Sequence, residues 1–184
     1  LDADKGGRRK ASAAAPTRAC AVIYTQPDRS LTSLGIAGVN DSGEVVLLHH
    51  SAPGEAWVID RLNAVRGNVK VLEVALHPSG QAKTLIPSLT AAGIEHHPLT
   101  VSDLAAGCSP LITKAATDGF VHLGQAELDA AAAVARTRYS GEMQLWDVAG
   151  ASVPLAPLVA VSTALYRFDL VAAEALKDPP PDIF

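Results

Sequence analysis

The sequence predicts an α/β domain, a mixed sheet with helices on both faces. Three observations carry that expectation. Apolar runs at 19–25, 31–39 and 44–50 are separated only by turn compositions, as in an antiparallel meander. Beyond them, short Val- and Leu-rich runs alternate with segments of helical spacing, the pattern of a sheet covered by helices. Finally, 184 residues that are 48% hydrophobic can bury one good core without requiring a second domain.

The elements follow in order. Residues 1–18 are Gly-, Ala- and charge-rich, with Lys5, Arg8, Arg9 and Lys10 and no apolar period, and read as a flexible linker or arm. The ordered domain is expected over 19–176. Gln26-Pro27-Asp28-Arg29-Ser30 and Asn40-Asp41-Ser42-Gly43 have turn composition and divide the three meander strands. Trp57, Val58, Leu62 and Val65 approach helical spacing over 54–66, and 69–75 is a Val-rich buried strand. A helix over 80–92 closes at Gly93, and 94–99 reads as a fifth strand. Thr100 then caps another helix, with Asp103 as the acid of a capping box. An Ala-rich helix is expected over 123–138 and an edge strand over 143–147. A long closing helix spans 154–175, with Pro154 in its first turn. Three successive prolines, Pro179 to Pro181, forbid regular helix in the tail, so 177–184 reads as a disordered end.

Bulk chemistry narrows the function classes. A net charge of −4 argues against a strongly basic nucleic-acid binder but leaves room for local phosphate contacts. Cys20 and Cys108 form no metal or redox motif and read as buried free thiols. No stretch reads as a membrane span or a signal peptide, and the start at Leu1 suggests a domain taken from a longer chain. There is no phosphate-cradling loop ending in Gly-Lys-Ser/Thr, so an ATPase motor is not expected here; a Gly-x-Ser-x-Gly elbow and a paired-Cys zinc motif are also absent.

Several segments together resemble the C-terminal nuclease domain of phage large terminase subunits. They are the first strand with Pro27-Asp28-Arg29-Ser30; His77-Pro78-Ser79-Gly80-Gln81-Ala82 continuing to Leu89; Val121-His122-Leu123-Gly124-Gln125 with Glu127-Leu128-Asp129-Ala130-Ala131; and Trp146-Asp147 with Pro157-Leu158-Val159-Ala160. In order, they span 20–167. The resemblance implies a ribonuclease H-like fold and a role in packaging a genome into a phage or prophage shell. It implies double-stranded DNA, a terminase ATPase domain, a small terminase subunit and a portal as partners, in the cytoplasm of a bacterial host. It also implies a two-metal endonuclease centre using Mg²⁺ or Mn²⁺, because two cations held by clustered aspartates stabilise the attacking water and the leaving oxygen.

At the positions where the resemblance puts those aspartates, this chain has Tyr24, His77 and Pro154. A phenol is a poor ligand for a hard cation at neutral pH, imidazole suits Zn²⁺ or Cu²⁺ better, and proline offers no ligand. No resident metal is therefore expected. The resemblance then implies a catalytically degenerate domain that acts in binding DNA or a partner. The competing readings are an active nuclease with relocated carboxylates Asp28, Glu73 and Asp147, and a prophage remnant or a recruited binding module. Neighbours in the adjacent pairs His49-His50 and His96-His97 point to opposite strand faces, and the pairs read as solvated strand ends, while His122 reads as a hydrogen-bonded structural residue.

Overall fold

The structure is a computed structural model that describes residues 8–9 and 15–177, with side chains over 15–174. In chain order the elements are β1 (Arg8–Arg9), β2 (Arg18–Thr25), β3 (Thr32–Val39), β4 (Val45–Ala52), α1 (Val58–Arg66) and β5 (Lys70–Leu76). A 3-10 turn (Gln81–Leu85) runs into α2 (Ile86–Ala91), followed by β6 (His97–Pro98), α3 (Val101–Ala106), α4 (Cys108–Ala116) and β7 (Val121–His122). The chain closes with α5 (Ala126–Val134), β8 (Thr137–Ser140), β9 (Met143–Trp146) and α6 (Ala156–Lys177).

Seven strands form one sheet in the order β1-β7-β4-β3-β2-β5-β6, and β8 pairs with β9 in a ladder of its own. β3 is antiparallel to both its neighbours, while β2–β5, β5–β6, β4–β7 and β1–β7 are parallel pairs. Six strands therefore point one way, and their carboxyl ends share one edge of the fold.

Strand alternation splits the buried side chains into two cores, one on each face. Val22, Ala37, Leu47 and Ala75 pack beneath Leu158, Val161 and Leu165 of α6, with Leu111 of α4 and Leu128 of α5. Ala21, Ile23, Leu34 and Ile36 pack beneath Val58 and Leu62 of α1 and Leu89 of α2. The predicted α/β architecture with helices on both faces is the one observed. α6 lies close against the sheet because Gly35 has no side chain: a Cβ there would sit 2.3 Å from the Ala160 carbonyl carbon.

Several boundaries differ from expectation, each for a local reason. The helix expected over 123–138 stops at Val134, and Thr137–Ser140 instead turns through Gly141, at φ +61°, to pair with β9. The strand expected over 143–147 is thus half of a hairpin and does not edge the main sheet. The fifth strand shrinks to His97–Pro98, since proline gives no ladder donor. The helix over 80–92 begins as a 3-10 turn, although Gly93 ends it at φ +65° as expected. Pro157 rather than Pro154 lies in the first turn of α6. The Thr100–Asp103 capping box forms as read.

The expectation that no segment has membrane-spanning character needs amending. Over Ala156–Glu174, α6 has the length and hydropathy to cross a bilayer, but 61% of that window is buried inside the molecule, so it is the apolar helix of the core. Of the arm expected over 1–18, residues 1–7 and 10–14 lie outside the described residues. Arg8–Arg9 pairs with β7, and the Thr17 amide donates to Val39 O at 2.8 Å. Of the tail expected over 177–184, all but Lys177, the last residue of α6, likewise lies outside the described residues.

Candidate functional site at the ends of the central strands

In open α/β sheets, ligands bind beyond the carboxyl ends of parallel strands. Two of the three positions singled out in the sequence meet there. Ile23 of β2 pairs with Leu76 of β5, so Tyr24 and His77 each follow one half of that pair. Both line a recess of about 260 Å³ with Thr25, Pro27, Gln81, Val101 and Leu104. Pro154 lines a second recess of about 300 Å³, together with Gln26, Asp28 and residues of the 148–153 loop. Pro27 is a wall of both recesses, so the three positions flank one proline.

The first recess is almost wholly apolar, and its polar side chains are Tyr24, Thr25, His77 and Gln81. The Ser79 amide donates to His77 Nδ1 at 3.1 Å, which makes Nδ1 the acceptor and leaves the ring proton on Nε2. Burial pushes the Tyr24 phenol above its usual pKa, so it stays protonated. Among the described residues, no Asp or Glu lines this recess.

The proposed rescue carboxylates are placed differently. Asp28 lines the second recess, and its Oδ1 accepts from Ser30 N and Oγ at 2.9 and 2.6 Å, which holds its pKa below the usual carboxylate value. Asp147 begins the loop that walls the same recess and accepts from the Gly150 amide at 3.2 Å. Glu73 does not join them: both its oxygens are taken by Arg167, at 2.7 Å each. Arg167 also lies 3.8 Å from Asp103, and His97 lies 3.8 Å from Glu73, giving a part-buried charge cluster between β5, β6, α3 and α6.

Sequence reasoning missed Glu55. Its carboxylate accepts from Thr25 Oγ1 at 3.1 Å and also from Thr84 Oγ1, fixing the 3-10 turn to the end of β2. No local motif signals this link, since the partners lie 30 and 29 residues away. Gln125 was read only as part of a motif. Its amide accepts from His49 N at 3.0 Å and donates to His49 O at 2.6 Å, extending the edge of β4 past the two residues of β7.

The pair His49-His50, expected as a solvated strand end, divides across β4, and only His50 keeps partial exposure. His49 is buried and its Nδ1 meets Ser51 Oγ at 2.8 Å, whereas the His50 ring meets Trp57 edge-on at 4.6 Å. His122 is buried, accepts from the Gly124 amide at 3.2 Å and lies 3.8 Å from Asp129. Cys20 and Cys108 are free and buried, their thiols pushed up to about 12 and about 11 by burial.

No family model matches the chain, and no curated protein matches it by sequence. Solved structures do match in three dimensions. The large terminase of bacteriophage HK97 superposes with a TM-score of 0.70 at 14% identity, over 91% of this chain and 43% of that one. The large terminase nuclease of thermophilic phage G20c superposes at 0.67 and 14% identity, over 90% of this chain and 96% of that one. This chain has the fold of a phage large terminase nuclease domain. The G20c nuclease has also been solved with bound magnesium, and that structure superposes at 0.63 and 14% identity, over 90% of this chain and 94% of that one. The chain thus spans less than half of the HK97 large terminase and nearly all of the isolated G20c nuclease.

The three positions that the resemblance gives to metal-binding aspartates carry no side chain suited to a hard cation such as magnesium. Tyr24, His77 and Pro154 supply no carboxylate, and among the described residues no group of three His, Cys, Asp or Glu side chains is placed to hold a metal ion.

Proposed function

We propose that this chain is the nuclease-type domain of a large terminase subunit in a phage or prophage DNA-packaging machine, catalytically degenerate and retained to bind DNA or a packaging partner. One observation supports the reading: on a terminase nuclease fold, Tyr24 and His77, two of the positions that the resemblance gives to aspartates, line one recess with no Asp or Glu among the described residues, and Pro154 lines the recess next to it. The partners of that reading are double-stranded DNA and an ATPase domain, with the small subunit and portal, in the host cytoplasm. Rescue by relocated carboxylates is disfavoured because Arg167 occupies both oxygens of Glu73.

Incubation with supercoiled plasmid and Mn²⁺ or Mg²⁺, alongside a DNA-binding assay, tests it. Binding without nicking is the expected result. Nicking that disappears in Asp28→Ala or Glu73→Ala would establish the relocated nuclease instead. A cooperatively folded chain that neither cuts nor binds would point to a recruited module or remnant.

A further inference from the structure

The turn that leads α4 into β7 is strained and chemically reactive. α4 ends on the C-cap Thr117, and the Gly119 amide donates back to Lys114 O at 2.7 Å, the long-range bond of a Schellman ending. That ending puts its left-handed residue at Asp118, with φ +50°, where glycine is the usual occupant because a side chain is strained there. Asp118 is exposed, and among the described residues its carboxylate meets no hydrogen-bond donor and no cation. Gly119 has no side chain to shield its nitrogen. Asp118-Gly119 is the one Asp-Gly step in a chain that has no Asn-Gly.

We infer that Asp118 is a modification site, isomerising spontaneously to isoaspartate and thereby loosening β7. The reacting atoms belong to adjacent residues, so rotation about the bonds between them is enough to bring them together. The cap bond to Lys114 must open first; helix ends open at low cost, and the strain at Asp118 favours opening. The Gly119 nitrogen then attacks Asp118 Cγ, and the amide proton leaves with the carboxyl hydroxyl as one water, closing a five-membered succinimide. Water adds back at either ring carbonyl. At Cγ it restores aspartate. At the former main-chain carbonyl it breaks that carbon's bond to Gly119, which stays joined through Cγ, and frees an α-carboxylate.

The product lengthens the main chain by one carbon, directly before a packed segment. Phe120 is buried in the core with Leu111 and Leu128, and Val121 pairs with Val46 of β4. A longer turn misplaces both.

The test ages the full chain in warm neutral buffer. Aliquots are digested with a protease that cuts before aspartate but not isoaspartate, and labelled with an isoaspartyl methyltransferase. The expected result is lost cleavage at Asp118, with a methyl label growing several-fold faster there than at Asp41-Ser42, which is also exposed in a turn. Asp118→Gly, which suits the turn and has no carboxyl, should lose that label. A label no greater than at Asp41, or undiminished in Asp118→Gly, overturns the inference. Deuterium uptake across β7 should quicken in the isomerised fraction, and uptake equal to that of the unmodified chain overturns the loosening.

Discussion

Arg167 Nε and Nη2 each donate to a different oxygen of Glu73, both at 2.7 Å, so one planar fork fastens α6 to β5. The pair is part-buried, with side chains 12% and 16% exposed, and Asp103 of the α3 capping box leans on the same guanidinium at 3.8 Å. Hydrogen bonding to Glu73, more than any other cause, holds the Arg167 pKa above its usual value. Removing one partner of such a pair leaves an uncompensated charge, whereas removing both does not. Arg167→Met should therefore cost about 3–5 kcal/mol in denaturant unfolding, and Arg167→Met with Glu73→Leu clearly less. Equal losses in the single and double variants would show that the ion pair is not the source.

Gln125→Ala removes both hydrogen bonds to the His49 backbone. A loss of about 1–3 kcal/mol is expected. Hydrogen exchange should quicken at the His49 amide and stay slow at Leu47, which β7 covers.

Gly35→Ala places a methyl carbon where only 2.3 Å separates it from the Ala160 carbonyl carbon, and 2.6 Å from the Val161 nitrogen. Helix and strand backbones must part to admit it, at a cost of about 3 kcal/mol or more. A thermal midpoint within a degree or two of wild type would contradict the close approach.

Burial holds the His49 imidazole below its usual pKa, with Glu127 opposing in part. The folded protein keeps the ring neutral as pH falls, while the unfolded chain takes up a proton near pH 6.5. Because the unfolded state then binds more protons, stability should decline as pH drops below about 6.5. His50 is shifted the same way, by burial first and then by Arg61, so both contribute. Unfolding midpoints measured across that range should fall less steeply in His49→Gln.

Tyr24→Asp, His77→Asp and Pro154→Asp together should create a divalent-cation site detectable by calorimetry with Mn²⁺, where the parent chain gives no heat of binding. A folded triple variant that binds no metal would show that these three positions are wrongly matched to the aspartates of the terminase nuclease.

Much of the scaffold is legible in local sequence. Turn chemistry at 26–30 and 40–43 places β2, β3 and β4 to within a residue or two, and Thr100 with Asp103 announces α3. Local signals failed where two tendencies competed. The Ala-rich run after Gln125 favours helix past Val134, but pairing of Arg138 with Leu145 and Tyr139 with Gln144 wins the segment for a hairpin. At the site, the identities of Tyr24, His77 and Pro154 could be read, and so could the location of Tyr24 and His77 at strand ends, whereas α6 begins two residues after Pro154. What could not be read were the side-chain contacts across long separations: Arg167 on Glu73 spans 94 residues, and Gln125 on His49 spans 76.

The Gln125 amide has a further consequence. β7 covers only Val46 and Leu47, so the outer half of β4 would otherwise present bare main-chain groups, and such a stretch invites another polypeptide to add itself as a strand. By meeting the His49 amide and carbonyl with a side chain, Gln125 removes one pairing position from that open edge. Solubility over storage, more than folding stability, is where a chain lacking Gln125 would first betray itself.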